Sequence, residues 1–194
     1  AGNLGNGRVI SFDMGGTTAK SSLILDGEVE ISGGYFIGGY STGHPMSLPV
    51  VNIVEVCSGG GSIAWVDPAG ALKVGPMSAQ ADPGPACYGL GGERPTVTDA
   101  NLVLGRLSAE RFLGGEMSLD REAAERAIMT HVAEPLGLGL IEAARGIITI
   151  VDAQMSLSLR AVSIEKGEDP REFALVPTGG AGPLGSDRGD AAPT

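Results

Sequence analysis

The feature that most constrains this chain is a short apolar, β-rich run that meets a glycine pair and then resumes as a second such run. Arg8-Val9-Ile10-Ser11-Phe12-Asp13 reads as a buried strand, Gly15-Gly16 marks a turn, and Thr18 to Leu25 reads as the returning strand. Asp26-Gly27 is a hairpin signal, and Glu28 to Ile31 alternates polar with apolar as a third strand should. The opening therefore predicts strand, glycine turn, strand, Asp-Gly turn, strand.

A glycine pair at such a turn can present consecutive backbone N–H groups to an anion, because no side chain blocks the approach. An Asp at the strand end can hold a magnesium-bound water, and Thr hydroxyls can reach phosphate oxygens. Asp13 is accordingly the candidate catalytic and Mg²⁺-positioning residue, and Gly15, Gly16, Thr17 and Thr18 are candidate phosphate contacts. The plainer alternative is a hairpin turn whose Asp and Thr satisfy local backbone groups.

Further along, Ser32 to His44 suggests a loop or loose hairpin, and Pro49 to Val56 a strand that ends at Cys57-Ser58-Gly59-Gly60-Gly61-Ser62. Ile63 to Asp67 and Ala71 to Val74 flank Pro68-Ala69-Gly70 as another hairpin. Residues 75–95 are too rich in Pro and Gly for regular structure and read as a long ordered loop. Helices dominate the second half. Asp99 is expected to cap Ala100 to Leu104, and Asp120 to cap Arg121 to Glu134. From Leu140 to Lys166, Leu140, Ala144, Ile147, Val151, Met155, Leu159 and Val162 step by three or four, and Gly167 supplies the stop. Phe173 to Val176 is a last strand running into Thr178-Gly179-Gly180-Ala181-Gly182-Pro183. Residues 185–194 lack periodicity and are expected to be disordered.

Composition narrows the function. Glycine accounts for 32 of 194 residues, in clusters without a fixed period, which excludes collagen and repeat arrays. The net charge of −10 argues against general nucleic-acid binding, although a local site built from backbone N–H groups needs no positive charge. The two cysteines, Cys57 and Cys87, suit a reducing, cytoplasmic compartment and form no zinc-ligand spacing. No apolar run is read as reaching the ~18 residues of a membrane span, and no basic-then-apolar signal segment opens the chain. The first residue is Ala, not Met, so a fragment or a processed product is expected.

Gly179, Gly180, Ala181 and Gly182 form a side-chain-free loop at a strand end, where an adenine or ribose can lie against backbone. Ser58, Gly59, Gly60, Gly61 and Ser62 read either as a further anion or substrate cradle or as a bulged strand end. A nucleophilic cysteine would need a neighbouring base, and His44 and His131 are isolated in sequence, so buried structural thiols are the default. Trp65 and Phe112 read as core.

Two glycine loops roughly 160 residues apart, each after a strand, resemble the second half of the actin-like ATPase fold shared by actin, sugar kinases and the seventy-kilodalton chaperones. A closer resemblance, to the hydantoinase A, 5-oxoprolinase and acetone carboxylase group, is carried by SFDMGGTTAK (Ser11 to Lys20), GGGSIAWVD (Gly59 to Asp67), VGPMSAQADPGPACYG (Val74 to Gly89), PTVTDANLVLGRL (Pro95 to Leu107) and GGAGPL (Gly179 to Leu184). The resemblance implies an α/β, ribonuclease H-like ATPase lobe over 1–184, with a mixed sheet, packed helices and an irregular Gly/Pro-rich insertion at about 32–95.

It further implies ATP and Mg²⁺ as cofactors and a parent hydrolase that opens hydantoin- or 5-oxoproline-type rings by phosphorylating the amide oxygen. Asp99 and Asn101 lie in a family stretch and are weak substrate candidates, Asp99 equally a helix cap. Relatives carry a first phosphate loop on a separate N-terminal lobe; only one Asp-x-Gly-Gly-Thr is present here, so the chain is expected to hold half an ATP site and to be inactive alone. Implied partners are that lobe, a second B-type subunit, a cyclic amide substrate and possible further copies of the chain. The alternatives are the ATP-binding part of an acetone- or acetophenone-type carboxylase, and a non-catalytic truncated remnant.

Overall fold

The computed structural model describes residues 7–32, 35–37, 43–46 and 49–186. Strands β1 (Arg8–Met14) and β2 (Ala19–Leu25) form the antiparallel hairpin that the opening sequence predicts, with Ile10 opposite Leu23 and Asp13 opposite Lys20. The third predicted strand is split. In it, β3 (Glu28–Val29) pairs with β2, whereas β4 (Ile31–Ser32) leaves the sheet. A small hairpin of β5 (Tyr35–Ile37) and β6 (His44–Met46) starts in the expected loose-hairpin region and runs two residues past its end; residues 33–34 and 38–42 of that region lie outside the described residues.

The strand expected from Pro49 to Val56 is also divided. β7 (Val50–Val51) pairs with β4, and β8 (Val54–Val56) returns to β2. The break falls at Asn52, whose N–H donates to the Glu30 carbonyl at 2.8 Å. Since β1 occupies one edge of β2 throughout, β3 and β8 share the other edge, one at each end.

The predicted hairpin follows as β9 (Ser62–Val66) and β10 (Leu72–Ser78). β10 reaches further than expected, into the stretch read as loop, by way of a register shift between Val74 and Ser78. The remaining irregular chain holds one short turn of 3₁₀ helix at Ala86–Tyr88.

Helix α1 (Val97–Val103) begins three residues before the predicted start. Its cap is Thr96, not Asp99. The Thr96 hydroxyl accepts from the Asp99 N–H and the Asp99 carboxylate accepts from the Thr96 N–H, a reciprocal capping box that places Asp99 in the first turn.

Asp120 does cap α2 (Arg121–Ile128), accepting from the Ala123 N–H at 2.9 Å. The chain then widens into a π turn at Met129–Ala133 before α3 (Glu134–Leu136). Pro135 has no N–H to donate to the carbonyl one turn back, which accounts for the loss of the regular ladder there.

Helix α4 (Leu140–Val162) is the long helix of the sequence pattern, and Gly167 ends the 3₁₀ turn after it at φ +81°. The span Leu140–Lys166 is long and apolar enough to cross a membrane by length and composition, because its charged residues are widely spaced. Its inner face, however, is a core face. Ala144, Ile147, Val151 and Met155 pack with Phe12 and Met14 of β1, and Val162 packs with Ile10 and Leu23. The Ser21 and Ser158 hydroxyls bond at 2.6 Å where α4 lies on β2.

Strand β11 (Ala174–Thr178) then pairs in parallel with β1 and completes the order β11-β1-β2-β3. The short helix α5 (Gly182–Ser186) includes Gly185 and Ser186, so these two residues of the tail expected to be disordered are helical. The rest of that tail lies outside the described residues. The α/β class, with a mixed sheet and packed helices, is as expected.

Candidate nucleotide site at converging glycine loops

The parallel pairing of β1 with β11 decides where the site lies. Its register sets Asp13 beside Thr178, so both strands end at the same sheet edge and the loops after them meet there. The Ala181 N–H donates to the Met14 carbonyl at 3.0 Å. At Gly179, where φ is +81°, an added Cβ would collide with Asp13 Oδ1 and the Met14 carbonyl. Only glycine lets the second loop approach this closely. Period-2 alternation along β1 turns Phe12 and Met14 into the core and leaves Asp13 exposed on the opposite face.

The first loop keeps unspent donors. Gly15 N–H closes the hairpin onto the Thr18 carbonyl at 3.0 Å. Gly16 and Thr17 are exposed, and among the described residues their N–H groups have no partner; the same holds for Gly180 in the second loop. Open space surrounds the position a Gly16 Cβ would take. Two predicted loops thus come together at Asp13, with free amides on both. Such an arrangement can receive an anion without a cationic side chain.

The third glycine cluster, read either as a cradle or as a bulged strand end, behaves differently and keeps no open amides. Each amide from Ser58 to Ser62 is already engaged: Ser58 N–H with the Val56 carbonyl (2.8 Å), Gly59 N–H with Ser62 Oγ (2.8 Å), Gly60 N–H with the Gly15 carbonyl (3.0 Å), Gly61 N–H with the Gly16 carbonyl (2.6 Å) and Ser62 N–H with the Gly59 carbonyl (3.1 Å). All five residues are buried. The segment is the underlay of the phosphate-loop candidate, since its donors hold the Gly15 and Gly16 carbonyls from behind and direct the loop's own amides outward. Contact explains the glycines: a Cβ on Gly59 would lie 2.7 Å from Gly16 and Thr17 backbone atoms.

Two residues missed by sequence reasoning complete this support. Thr98 donates its N–H (2.8 Å) and its hydroxyl (2.9 Å) to the Gly60 carbonyl. The Ser78 hydroxyl lies 3.4 Å from that of Thr17. The capping-box spacing Thr96-x-x-Asp99 was the available signal for Thr98, because it fixes where α1 starts.

Asp99 and Asn101 do not reach the site. Asp99 is fully buried and accepts from Cys87 N–H (2.8 Å), Ala86 N–H (3.3 Å), Thr96 N–H (2.7 Å) and the Thr96 hydroxyl (2.7 Å). A carboxylate with that many donors ties the 3₁₀ turn to the start of α1 and has no face left for a substrate. Asn101 is buried in the helix, donating to the Val97 carbonyl at 3.1 Å.

Cys87 is buried, and burial, with Asp99 beside it, pushes its thiol far above the usual range, so it is no nucleophile. Neither cysteine bonds to a histidine among the described residues. Trp65 donates its indole N–H to the Gly75 carbonyl at 2.9 Å, and Phe112 packs on Tyr88 with centroids 5.6 Å apart; both serve packing. Among the described residues no group of three or more His, Cys, Asp or Glu could enclose a metal ion.

Comparison with known proteins agrees with this architecture. The chain is 49% identical over 173 residues to the caprolactamase subunit alpha of Pseudomonas jessenii, covering 89% of this chain and 24% of that protein. The crystal structure of ATP-dependent caprolactamase from the same organism superposes with a TM-score of 0.86 at 45% identity, over 97% of this chain and 27% of that one. The nucleotide-free structure of acetone carboxylase, from work on ATP-dependent acetone carboxylation, also gives 0.86, at 35% identity, over 95% of this chain and 26% of that one. The chain thus spans about a quarter of the length of these relatives. A sequence profile described as Hydantoinase/oxoprolinase matches residues 1–187, and the chain belongs to that family.

Proposed function

We propose that these residues are one lobe of the ATP site of an enzyme that opens a cyclic amide or imide through a phosphorylated intermediate, and that the lobe is inactive alone. The observation that carries the reading is the meeting of the Gly15–Thr18 and Gly179–Gly182 loops at Asp13, with the Gly16, Thr17 and Gly180 amides unspent. The Gly16 and Thr17 amides and the Thr17 and Thr18 hydroxyls take phosphate oxygens. The open backbone of Gly179, Gly180, Ala181 and Gly182 takes the adenosine side.

Asp13 fits a Mg²⁺ held through water, because that ion keeps several waters and needs only one or two protein carboxylates when phosphates supply the rest. Bound there, the ion would offset phosphate charge. The chain's own part is positioning: backbone donors already aimed outward need not reorganise as charge moves onto the phosphate oxygens. A site between two lobes binds weakly when one is missing, which makes the N-terminal lobe a required partner.

The relative named caprolactamase subunit alpha supports a cyclic amide as substrate and a second subunit as partner. The structural match to acetone carboxylase favours a second reading, in which the same lobe serves ATP-dependent carboxylation. We place the protein in the cytoplasm, where its two unpaired thiols stay reduced. The net charge of −10 speaks against a nucleic-acid partner.

The test is Mg-ATP calorimetry and amide-dependent ATP hydrolysis in the full-length protein with Asp13→Ala and Gly16→Val. Both variants are expected to fold and to lose binding, since residue 13 is exposed and residue 16 faces open space. Wild-type Mg-ATP affinity in both would sink the reading.

A further inference from the structure

Lys20 stands directly across the β1–β2 hairpin from Asp13. Ala19 is buried in the core and the Ser21 hydroxyl bonds to Ser158 of α4. Alternation along β2 therefore turns Lys20 away from α4, onto the exposed face that carries Asp13. On the other edge of β2, the register sets Glu55 of β8 opposite Lys20, exposed on the same face. With Thr178 beside Asp13 in β11, a row runs across the sheet: Thr178, Asp13, Lys20, Glu55. Acids flank the lysine on both sides. Among the described residues, however, no ion pair or hydrogen bond joins its ammonium to either carboxylate. Exposed pairs of this kind are worth at most about 1 kcal/mol, so the ammonium is free to turn to a ligand.

We propose that Lys20 binds the terminal phosphate of the nucleotide. The inference rests on the ATP reading above and adds to it the direction in which the triphosphate runs. Strand order supplies that direction. The adenosine-side loop follows β11, Asp13 stands near the end of β1, and β2 lies on the far side of β1 from β11. Adjacent strands lie about 4.8 Å apart. A phosphate chain that starts at the Gly179–Gly182 loop and passes Asp13 reaches β2 with its distal end, and Lys20 is the side chain that β2 presents beside Asp13. The Gly16 and Thr17 amides at the tip of the same hairpin offer dipoles. Lys20 adds a full charge on a flexible stem, the form in which lysine serves phosphates. The terminal phosphate is the most highly charged of the three, so a lone cation gains most there.

The experiment titrates the full-length protein with Mg-ATP and with Mg-ADP by calorimetry, for the unsubstituted chain, Lys20→Met and Lys20→Arg. Lys73→Met is the control, removing the same charge from an exposed position on the β9–β10 hairpin. Lys20→Met should raise the Kd of Mg-ATP about tenfold or more and that of Mg-ADP less than about twofold. Lys20→Arg should keep most of the Mg-ATP affinity, and Lys73→Met should change neither nucleotide. In the unsubstituted protein, Mg-ATP but not Mg-ADP should slow acetylation of Lys20 by acetic anhydride several-fold, read by peptide mass spectrometry. That measurement decides alone if the Met variant fails to fold. Unchanged Mg-ATP affinity in Lys20→Met, equal losses for the two nucleotides, or unslowed acetylation overturns the proposal. Mg-ATP binding lost in Asp13→Ala but kept in Lys20→Met would leave the nucleotide reading standing and remove Lys20 from it. Binding of neither nucleotide by the unsubstituted protein would overturn both.

Discussion

Thr98 gives both of its donors, the backbone N–H at 2.8 Å and the hydroxyl at 2.9 Å, to the single carbonyl of Gly60. Gly60 in turn donates to the Gly15 carbonyl at 3.0 Å, so α1 is tied to the phosphate-loop candidate through one residue. Thr98→Val removes the hydroxyl donor and keeps the N–H, at a cost of about 1 kcal/mol. Mg-ATP affinity in the full-length protein should fall several-fold, and Thr98→Ser should restore it. Unchanged affinity in the Val variant would mean that the relay does not set the loop.

Gly179 and its neighbour Gly180 offer a paired test. Gly179 has φ +81° with Asp13 Oδ1 and the Met14 carbonyl where a Cβ would go, whereas nothing lies within 4 Å of a Cβ at Gly180. Gly179→Ala should cost about 1–2 kcal/mol from the left-handed backbone alone, with the collision added. Gly180→Ala should leave the melting temperature nearly unchanged. Equal melting temperatures for the two variants would contradict the close approach.

Asp99 holds the Ala86–Cys87 turn and the start of α1 with one carboxylate. Asn at this position replaces one acceptor oxygen with an NH₂ that faces backbone donors. A buried donor left without an acceptor costs about 1–3 kcal/mol, and more where a charged acceptor is lost. Asp99→Asn should therefore lower the denaturation midpoint strongly, and Cys87, now inert, should become open to alkylation. Catalytic loss without destabilisation would return Asp99 to the substrate candidates.

Asp169 supplies a pH-dependent signature. Its carboxylate is held at about 2, from an ordinary 3.8, first by the Arg171 guanidinium and then by the Arg171 N–H. A depressed carboxylate stabilises the fold above its unfolded value, and that contribution fades as pH falls from about 4 through about 2. Arg171→Ala should move the NMR titration midpoint of Asp169 upward toward 3.8. A midpoint that stays near 2 in the variant would assign the shift to the backbone.

Legibility followed the range of the interaction. The β1–β2 hairpin, the Asp120 cap and the Gly167 stop were readable because each rests on residues within a few positions of one another. The run from Pro49 to Val56 reads as one strand, yet its two halves pair with β4 and β2, partners that no local pattern names. Asp99 reads as a cap because Asp is a common one. Thr96, three residues earlier, took that role through the reciprocal bond that the Thr-x-x-Asp spacing allows.

By itself the sequence determined the α/β class, the family, the positions of the glycine turns and the residue types at Asp13, Gly15 to Thr18 and Gly179 to Gly182. It did so because propensity, alternation and short spacing are properties of neighbouring residues. Tertiary structure alone decided which glycine cluster keeps its amides. The Ser58–Ser62 donors are consumed, two of them by the Gly15 and Gly16 carbonyls, and the Gly16 and Thr17 donors remain free. Two glycine clusters can look alike in sequence and differ in function because an N–H is a ligand donor only when no distant carbonyl has claimed it.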